Sequence, residues 1–226
     1  MTRVVLVDDQ AVVRAGFTVI LESEGFEVVG EASNGADAVR VARRERPDVV
    51  CMDVRMPGGD GITATRALAG PGVVDPVPVL VVSTFDLDDY VFGALEAGAS
   101  GFLLKDAEPD VLVDAVRRVA SGEGLVDQTL TRRVIDEFAR RRSPATPDEV
   151  ASGLLTSREH DILALLCRGQ SNAEIAATLF LEASTVKSHL SRIMTKTGMR
   201  DRVQLVVWAY ERGIAAPGTL NTPGPR

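Results

Sequence analysis

Five polar side chains stand at the ends of apolar runs in the first half of the chain. Asp8 and Asp9 follow Val4-Val5-Leu6-Val7, and Asp53 follows Val49-Val50-Cys51-Met52. Ser83 closes Val79-Leu80-Val81-Val82, and Lys105 follows Gly101-Phe102-Leu103-Leu104. Each run reads as a buried strand. If the strands lie parallel, their carboxyl ends share one rim, and that rim is where open α/β sheets bind ligands. Three carboxylates, a hydroxyl and an ammonium then converge on one patch. Such a patch suits a magnesium ion and a phosphoryl group.

Magnesium takes oxygen ligands in near-octahedral geometry and keeps several waters, so a few carboxylates hold it. Asp8, Asp9 and Asp53 supply them if the first and third strands are neighbours, as in the 2-1-3-4-5 order of flavodoxin-like sheets. One carboxylate has to stay free to attack phosphorus. Asp53 is the candidate, because the pair at 8–9 can hold the metal from the adjacent strand. The metal would neutralise charge developing on the transferred oxygens. Ser83 could donate to one phosphoryl oxygen while Lys105 pairs with another. The plainer account is that polar residues at strand ends cap the sheet and meet solvent. It suits any one of the five better than all five at successive strand ends.

Positioning these groups requires alternating elements. Strands read at about 3–7, 27–31, 48–52, 78–83 and 101–104, with helical patterns at about 11–23, 35–45, 60–69, 87–97 and 108–121. Five βα units in sequence imply a doubly wound, five-stranded parallel sheet covered on both faces. Asn34-Gly35 and the cluster Pro57-Gly58-Gly59-Asp60-Gly61 punctuate the loops. From Gly122 the pattern changes. A short amphipathic segment at about 127–142 leads to a flexible Ser143-Pro144-Ala145-Thr146-Pro147 stretch, so 123–153 reads as a linker with a short helix. Residues 154–213 carry four helical periodicities and no strand signal, and 214–226 reads as a disordered tail.

Net charge is −7 but unevenly spread. Residues 1–122 hold 11 Lys/Arg against 20 Asp/Glu (−9), and 154–213 hold 8 against 6 (+2). Such asymmetry points to different partners for the two halves, although +2 alone would not imply nucleic acid. No segment approaches the roughly 18 apolar residues of a membrane span. The chain enters a strand at once, so no signal peptide is expected. Cys51 and Cys167 lie in separate apolar stretches and read as core residues of a cytoplasmic protein.

The first half resembles the receiver domain of two-component response regulators. The match runs over residues 3–121 and rests on Val7-Asp8-Asp9, Asp53 before Met56-Pro57 and Asp60-Gly61, Ser83-Thr84-Phe85, and the run from Ala97 to Asp106. The resemblance implies that Asp53 takes a phosphoryl group from a phosphohistidine on a sensor histidine kinase. It implies that Asp8, Asp9, Asp53 and the backbone carbonyl of Arg55 hold Mg2+. Ser83 matches the family's Ser/Thr position and Phe102 its aromatic switch position. On phosphorylation Ser83 is expected to move toward the phosphoryl group, and Phe102 to turn inward into the vacated space. The plainer reading of Phe102 is a static core aromatic. Asp106 stands where many receivers have proline, and a cis bond there would cost about 2.5–4 kcal/mol without one.

In the second half, Thr156-Ser157-Arg158-Glu159 and Ser171-Asn172-Ala173-Glu174 have capping-box form and open two helices. A third helix at about 182–197 follows a tight turn, which is helix-turn-helix spacing, and a fourth covers about 201–212. At 100° per residue Val186, Leu190, Ile193 and Met194 face the core. Ser184, Ser188, Ser191, Arg192 and Thr195 fall opposite, with Lys187 and Lys196 flanking. That face suits a major groove and its phosphates as well as it suits plain solvent. Leu155 to Glu159, Gly169 to Ala176 and Thr185 to Leu190 resemble the LuxR-type DNA-binding domain. With the receiver, the chain is similar to a full-length NarL/FixJ-type response regulator. Carried over by position, Lys187, Ser188 and Ser191 contact base edges, and Asn172, Thr185, Arg192 and Lys196 contact phosphates. Glu182 departs from the family's usual serine cap; it caps less well but suits the helix dipole. His189 reads as a packing residue and His160 as a surface one. Val203, Leu205, Val206 and Trp208 are candidates for the core or for the dimer contact that the family makes through this helix.

The expected molecule is a cytoplasmic transcription regulator, not an enzyme acting on other substrates. Phosphorylation of Asp53 would release the reader from an inhibiting receiver, giving a homodimer on an inverted repeat in double-stranded DNA, with RNA polymerase as a further partner and no membrane. Two alternatives stand beside it. One is an orphan regulator that binds DNA without phosphorylation. The other is a magnesium-dependent phosphatase with an aspartyl nucleophile, for which Asp53-Val54-Arg55 lacks the second acid.

Overall fold

Apolar runs of four to six residues, rich in valine, pair as parallel strands because both of their faces can be covered. The strands are β1 (Arg3–Val7), β2 (Glu27–Ala32), β3 (Val49–Met52), β4 (Val79–Ser83) and β5 (Gly101–Leu104), in the order β2-β1-β3-β4-β5. This computed structural model describes residues 1–57, 61–84, 88–122 and 153–214. The segment expected at 127–142, the Ser143–Pro147 stretch, the tail beyond 214, Asp60 and Phe85 lie outside the described residues. The chain divides into two units, with the boundary between Leu125 and Val126.

In the first unit the strands alternate with α1 (Ala11–Ser23), α2 (Gly35–Glu45), α3 (Gly61–Ala69), α4 (Asp88–Glu96) and α5 (Pro109–Ala120). Every strand pairing is parallel. The order 2-1-3-4-5 is the one the acidic rim requires. On one face Leu6, Cys51, Leu80 and Leu103 pack with Leu21 of α1 and Val116 of α5. Strand alternation turns Val50, Val81 and Phe102 to the other face, where they are also buried. Each such side chain contributes about 1.5–3 kcal/mol by leaving water, so the strand ends are held from both sides. Local signals set the helix starts. Asn34 accepts from Asp37 N at 3.0 Å and caps α2. Pro109, whose missing N–H costs nothing there, opens α5.

The second unit contains α6 (Ser157–Leu166), α7 (Asn172–Leu179), α8 (Ala183–Thr197) and α9 (Arg202–Glu211). Both capping boxes form, Thr156 with Glu159 and Ser171 with Glu174. Glu182 precedes α8 and makes no side-chain cap, as its chemistry suggests. Phe180 ends α7 in the left-handed region at φ 55°, and Gly198 ends α8 at φ 72°. Val186, Leu190 and Ile193 are buried, with Met194 half-buried. Val203, Leu205, Val206 and Trp208 are all buried. His160 is half-buried, so it is less exposed than a surface residue. No described helix is long and apolar enough to cross a membrane. Cys51 and Cys167 are buried and unbridged; burial pushes both thiols up to about 12, so they stay protonated.

Candidate functional site

The rim assembles because β1 and β3 are adjacent in register. Asp53 N donates to Val7 O at 2.8 Å, and Lys105 N donates to Ser83 O at 2.9 Å, so each polar residue is placed by the backbone of the neighbouring strand. Asp8 is 4 % exposed and Asp53 5 %, whereas Asp9 stands on the open edge. One carboxylate oxygen from each of these three residues lies within 4.8 Å of the others. Lys105 Nζ reaches Asp8 Oδ2 at 2.5 Å and Asp53 Oδ2 at 2.9 Å. Arg55 N makes a long contact of 3.4 Å with Asp53 Oδ1, which brings that residue's main chain to the rim. Ser83 is 1 % exposed at the end of β4. The Lys105–Asp106 bond is trans, like every other described peptide bond.

Electrostatics follow from this geometry. Burial pushes the Asp53 carboxyl above the ordinary carboxylate range, and the negative charge of Asp8 adds to that. Lys105 opposes both without cancelling them. Burial pulls the Lys105 ammonium down, but its bonds to Asp8 and Asp53 together outweigh it and leave the pKa raised. Two buried acids therefore share one cation. Lys105 holds a single positive charge against them, so a divalent ion fits the donor set: hard oxygens, close together, with Asp9 open to solvent beside them. A cleft of about 590 Å³ opens over this edge, lined by Asp9, Val54, Arg55, Met56, Pro57 and Tyr90.

Two supports of the rim have no signature in the sequence pattern. Arg14 on α1 donates through Nη1 to the main-chain oxygen of Asp8 at 2.7 Å and pairs through Nε with Glu31 on β2, also at 2.7 Å. It pins the acidic loop. Gly61 packs directly on the main chain of Asp53: a Cβ there would lie 1.9 Å from the Asp53 carbonyl oxygen. Its N–H donates to Val54 O at 3.0 Å. Phe102, expected to turn inward, is already 3 % exposed in this structure.

In the second unit, Lys187, Ser188, Ser191 and Arg192 are exposed together on α8, while Thr185 and Asn172 are half-buried. The Ser188 hydroxyl donates to Ser184 O at 3.0 Å and leaves its lone pairs outward. His189 is half-buried, in keeping with packing. Lys196 sits differently from a plain phosphate contact. Its Nζ lies 2.6 Å from Glu159 Oε2, and Glu159 is 3 % exposed. That carboxylate also accepts from Thr156 N at 2.8 Å and Thr156 Oγ1 at 3.0 Å. Burial raises its pKa, but Lys196 and the Thr156 bonds prevail and hold it at about 2. The Lys196 ammonium is thus engaged in tying the end of α8 to the start of α6.

Comparison with known proteins agrees with both units. Residues 4–117 match the family model "Response regulator receiver domain", and residues 153–209 match "Bacterial regulatory proteins, luxR family". The transcriptional regulatory protein LiaR of Bacillus subtilis is 38 % identical over 211 residues, covering 93 % of this chain and 97 % of the relative. The oxygen regulatory protein NreC of Staphylococcus epidermidis is 36 % identical over 217 residues, covering 93 % and 97 %. Among solved structures, the response regulator ChrA of a heme-sensing two-component system superposes with TM-score 0.50 at 38 % identity, covering 94 % of this chain and 98 % of that one.

Proposed function

This chain belongs to the two-component response regulators that join a receiver domain to a LuxR-type DNA-binding domain, and we propose that phosphorylation of Asp53 controls its grip on DNA. The observation that carries this reading is the cluster of Asp8, Asp9 and Asp53 carboxylates within 4.8 Å, bridged by Lys105 at the end of a parallel sheet. Asp8 and Asp9, with Asp53 and the Arg55 carbonyl, would hold Mg2+. A bound Mg2+ supplies charge neutralisation on the transferred oxygens.

The chain's own residues do the rest. An Asp53 oxygen attacks the phosphorus of a phosphohistidine; the new O–P bond forms as the P–N bond to the donor imidazole breaks. Lys105, already 2.9 Å from Asp53, pairs with the incoming phosphoryl oxygens, and the Ser83 hydroxyl donates to another. The cleft beside Arg55 and Tyr90 admits the donor. A sensor histidine kinase fits as donor, and α1 offers it a surface. Val12 is 76 % and Val19 70 % exposed, with Ala15 and Gly16 exposed between them, an apolar stripe of the kind that marks docking sites. Lys187, Ser188 and Ser191 would read base edges, and Asn172, Thr185 and Arg192 would meet phosphates. We assign 123–153 as the linker and a homodimer on an inverted repeat as the active form. We read the chain as a cytoplasmic regulator that transfers phosphoryl only to itself.

The full chain incubated with Mg2+ and acetyl phosphate should gain one phosphoryl mass on Asp53, and Asp53→Asn should not. The labelled chain should then bind its operator more tightly at matched salt. Labelling elsewhere, or DNA binding indifferent to the label, refutes the proposal.

A further inference from the structure

Resting on the reading that α7 and α8 grip DNA, we propose that Arg202 is a positioning residue that turns the Asn172 side-chain amide so that its NH2 end faces a DNA phosphate. Arg202 is the first residue of α9. Its Nη1 donates to Asn172 Oδ1 at 3.1 Å, and its Nη2 donates to the main-chain oxygen of Gln170. These two acceptors flank Ser171, whose hydroxyl accepts from Glu174 N at 3.2 Å and caps α7. One planar guanidinium therefore straddles the cap and ties the start of α7 to the start of α9.

The consequence is chemical. A guanidinium carries donors only, so the end of the amide it meets is the oxygen. Oxygen and NH2 diverge from the same carbon, so fixing one turns the other away from Arg202. A phosphate oxygen accepts and does not donate, so the NH2 end alone can bind it. Without Arg202 the amide is free to flip and present its oxygen to the phosphate half the time. The positive end of the α7 dipole lies at the same place and favours the same anion. Arg202 is itself half-buried and occupied by two carbonyl groups, which suits a role exerted through Asn172.

Salt dependence separates this from direct contact, because releasing one counterion changes the slope of log K against log salt by about 0.9, whereas a neutral amide contact leaves it alone. The full chain, treated with Mg2+ and acetyl phosphate, is titrated with a short mixed-sequence duplex, since phosphate contacts carry such binding. Arg202→Met should weaken binding about 2-fold, since half of the amides then face the wrong way, and Asn172→Ala about 5-fold, each with the wild-type slope. The double variant Arg202→Met with Asn172→Ala should bind no more weakly than Asn172→Ala. A slope reduced in Arg202→Met, or additive losses in the double variant, would overturn the inference. Asn172→Asp keeps the acceptor for Arg202 but loses the NH2, so it should bind at least as weakly as Asn172→Ala at an undiminished melting temperature. Wild-type binding by Asn172→Asp overturns the inference even if the Arg202 variants do not fold. A wild-type chain that binds no duplex overturns the DNA reading as well, a result distinct from wild-type binding with additive losses.

Discussion

Replacing Gly61 by alanine tests whether the rim works as a rigid frame. The added Cβ would lie 1.9 Å from the Asp53 carbonyl oxygen, 2.9 Å from its carbon and 3.0 Å from Val54 Cα. Cβ atoms essentially never approach within 3.0 Å of such neighbours, so the start of α3 or the Asp53 main chain has to yield by about 1.1 Å (3.0 less 1.9). The neighbours are backbone atoms and have no rotamer to change. Overpacking of this kind costs about 1–3 kcal/mol. A displacement of about 1 Å at a reacting group costs on the order of 100-fold in rate. Gly16 provides the control. It lies within α1 with no heavy atom within 4 Å of an added Cβ, so Gly16→Ala should stabilise by about 0.5–1 kcal/mol. Urea unfolding gives the stabilities, and the rate of labelling by acetyl phosphate with Mg2+ gives the reactivity. A Gly61→Ala chain with wild-type stability and wild-type labelling would show that Asp53 is not held by this contact, and the step from geometry to reactivity would fail.

Lys105→Met should leave Asp8 and Asp53 buried together without a cation and cost about 3 kcal/mol at neutral pH. Because burial already raises the folded Asp53 pKa above 3.8, the folded state binds its proton at higher pH than the unfolded state. The deficit should therefore shrink as pH falls through that raised value, and urea midpoints that show a pH-independent deficit would contradict the assignment. Glu159→Gln should also lose its deficit in acid, but through a depressed carboxyl and not a raised one. The folded pKa is held at about 2 against 4.5, so the pair's stabilisation is present above 4.5 and lost as pH falls toward 2. With Lys196 partly exposed, screening leaves about 1 kcal/mol, read as a melting-temperature gap between wild type and variant that closes in acid. Val12→Asp with Val19→Asp should slow phosphoryl transfer from the cognate kinase at least several-fold while leaving labelling by acetyl phosphate unchanged. Equal loss with both donors would mean that α1 serves the site and not the docking.

What was legible in the sequence has a local cause. The five strands show as apolar runs because both faces of a parallel sheet are buried, and the strand order followed from asking where Asp8, Asp9 and Asp53 must meet. The capping boxes at Thr156 and Ser171 show because their partners are three residues away. The supports were not legible, for the converse reason. Arg14 reaches Glu31 across 17 residues, Lys196 reaches Glu159 across 37, and Arg202 reaches Asn172 across 30. An arginine or lysine on a helix reads the same in sequence whether it meets water, a phosphate or a buried carboxylate. Lys196 shows the effect: its position on α8 suggested a phosphate, and its surroundings supply Glu159. Gly61 was visible only as one glycine in a turn-rich cluster, because close approach to Asp53 depends on how α3 begins relative to β3.

The proposed switch has to be driven by charge and not by burial. Phe102 is already 3 % exposed and Ser83 1 %, so turning the aromatic further inward would remove almost no apolar surface from water. The groups with energy to redistribute are Lys105, Asp8 and Asp53, where one ammonium serves two buried acids at 2.5 and 2.9 Å. A phosphoryl group on Asp53 adds negative charge where the balance is already negative, which draws Lys105 and the Ser83 hydroxyl toward it. Ser83 ends β4 and its carbonyl accepts from Lys105 N, so the two pull on the same pair of strand ends. Allosteric coupling of about 1–3 kcal/mol is commonly enough to change affinity 5- to 150-fold, and one rearranged charge-assisted hydrogen bond supplies about that much. Phe102, three residues before Lys105 and paired with Val81, then follows the backbone and reports the change without powering it.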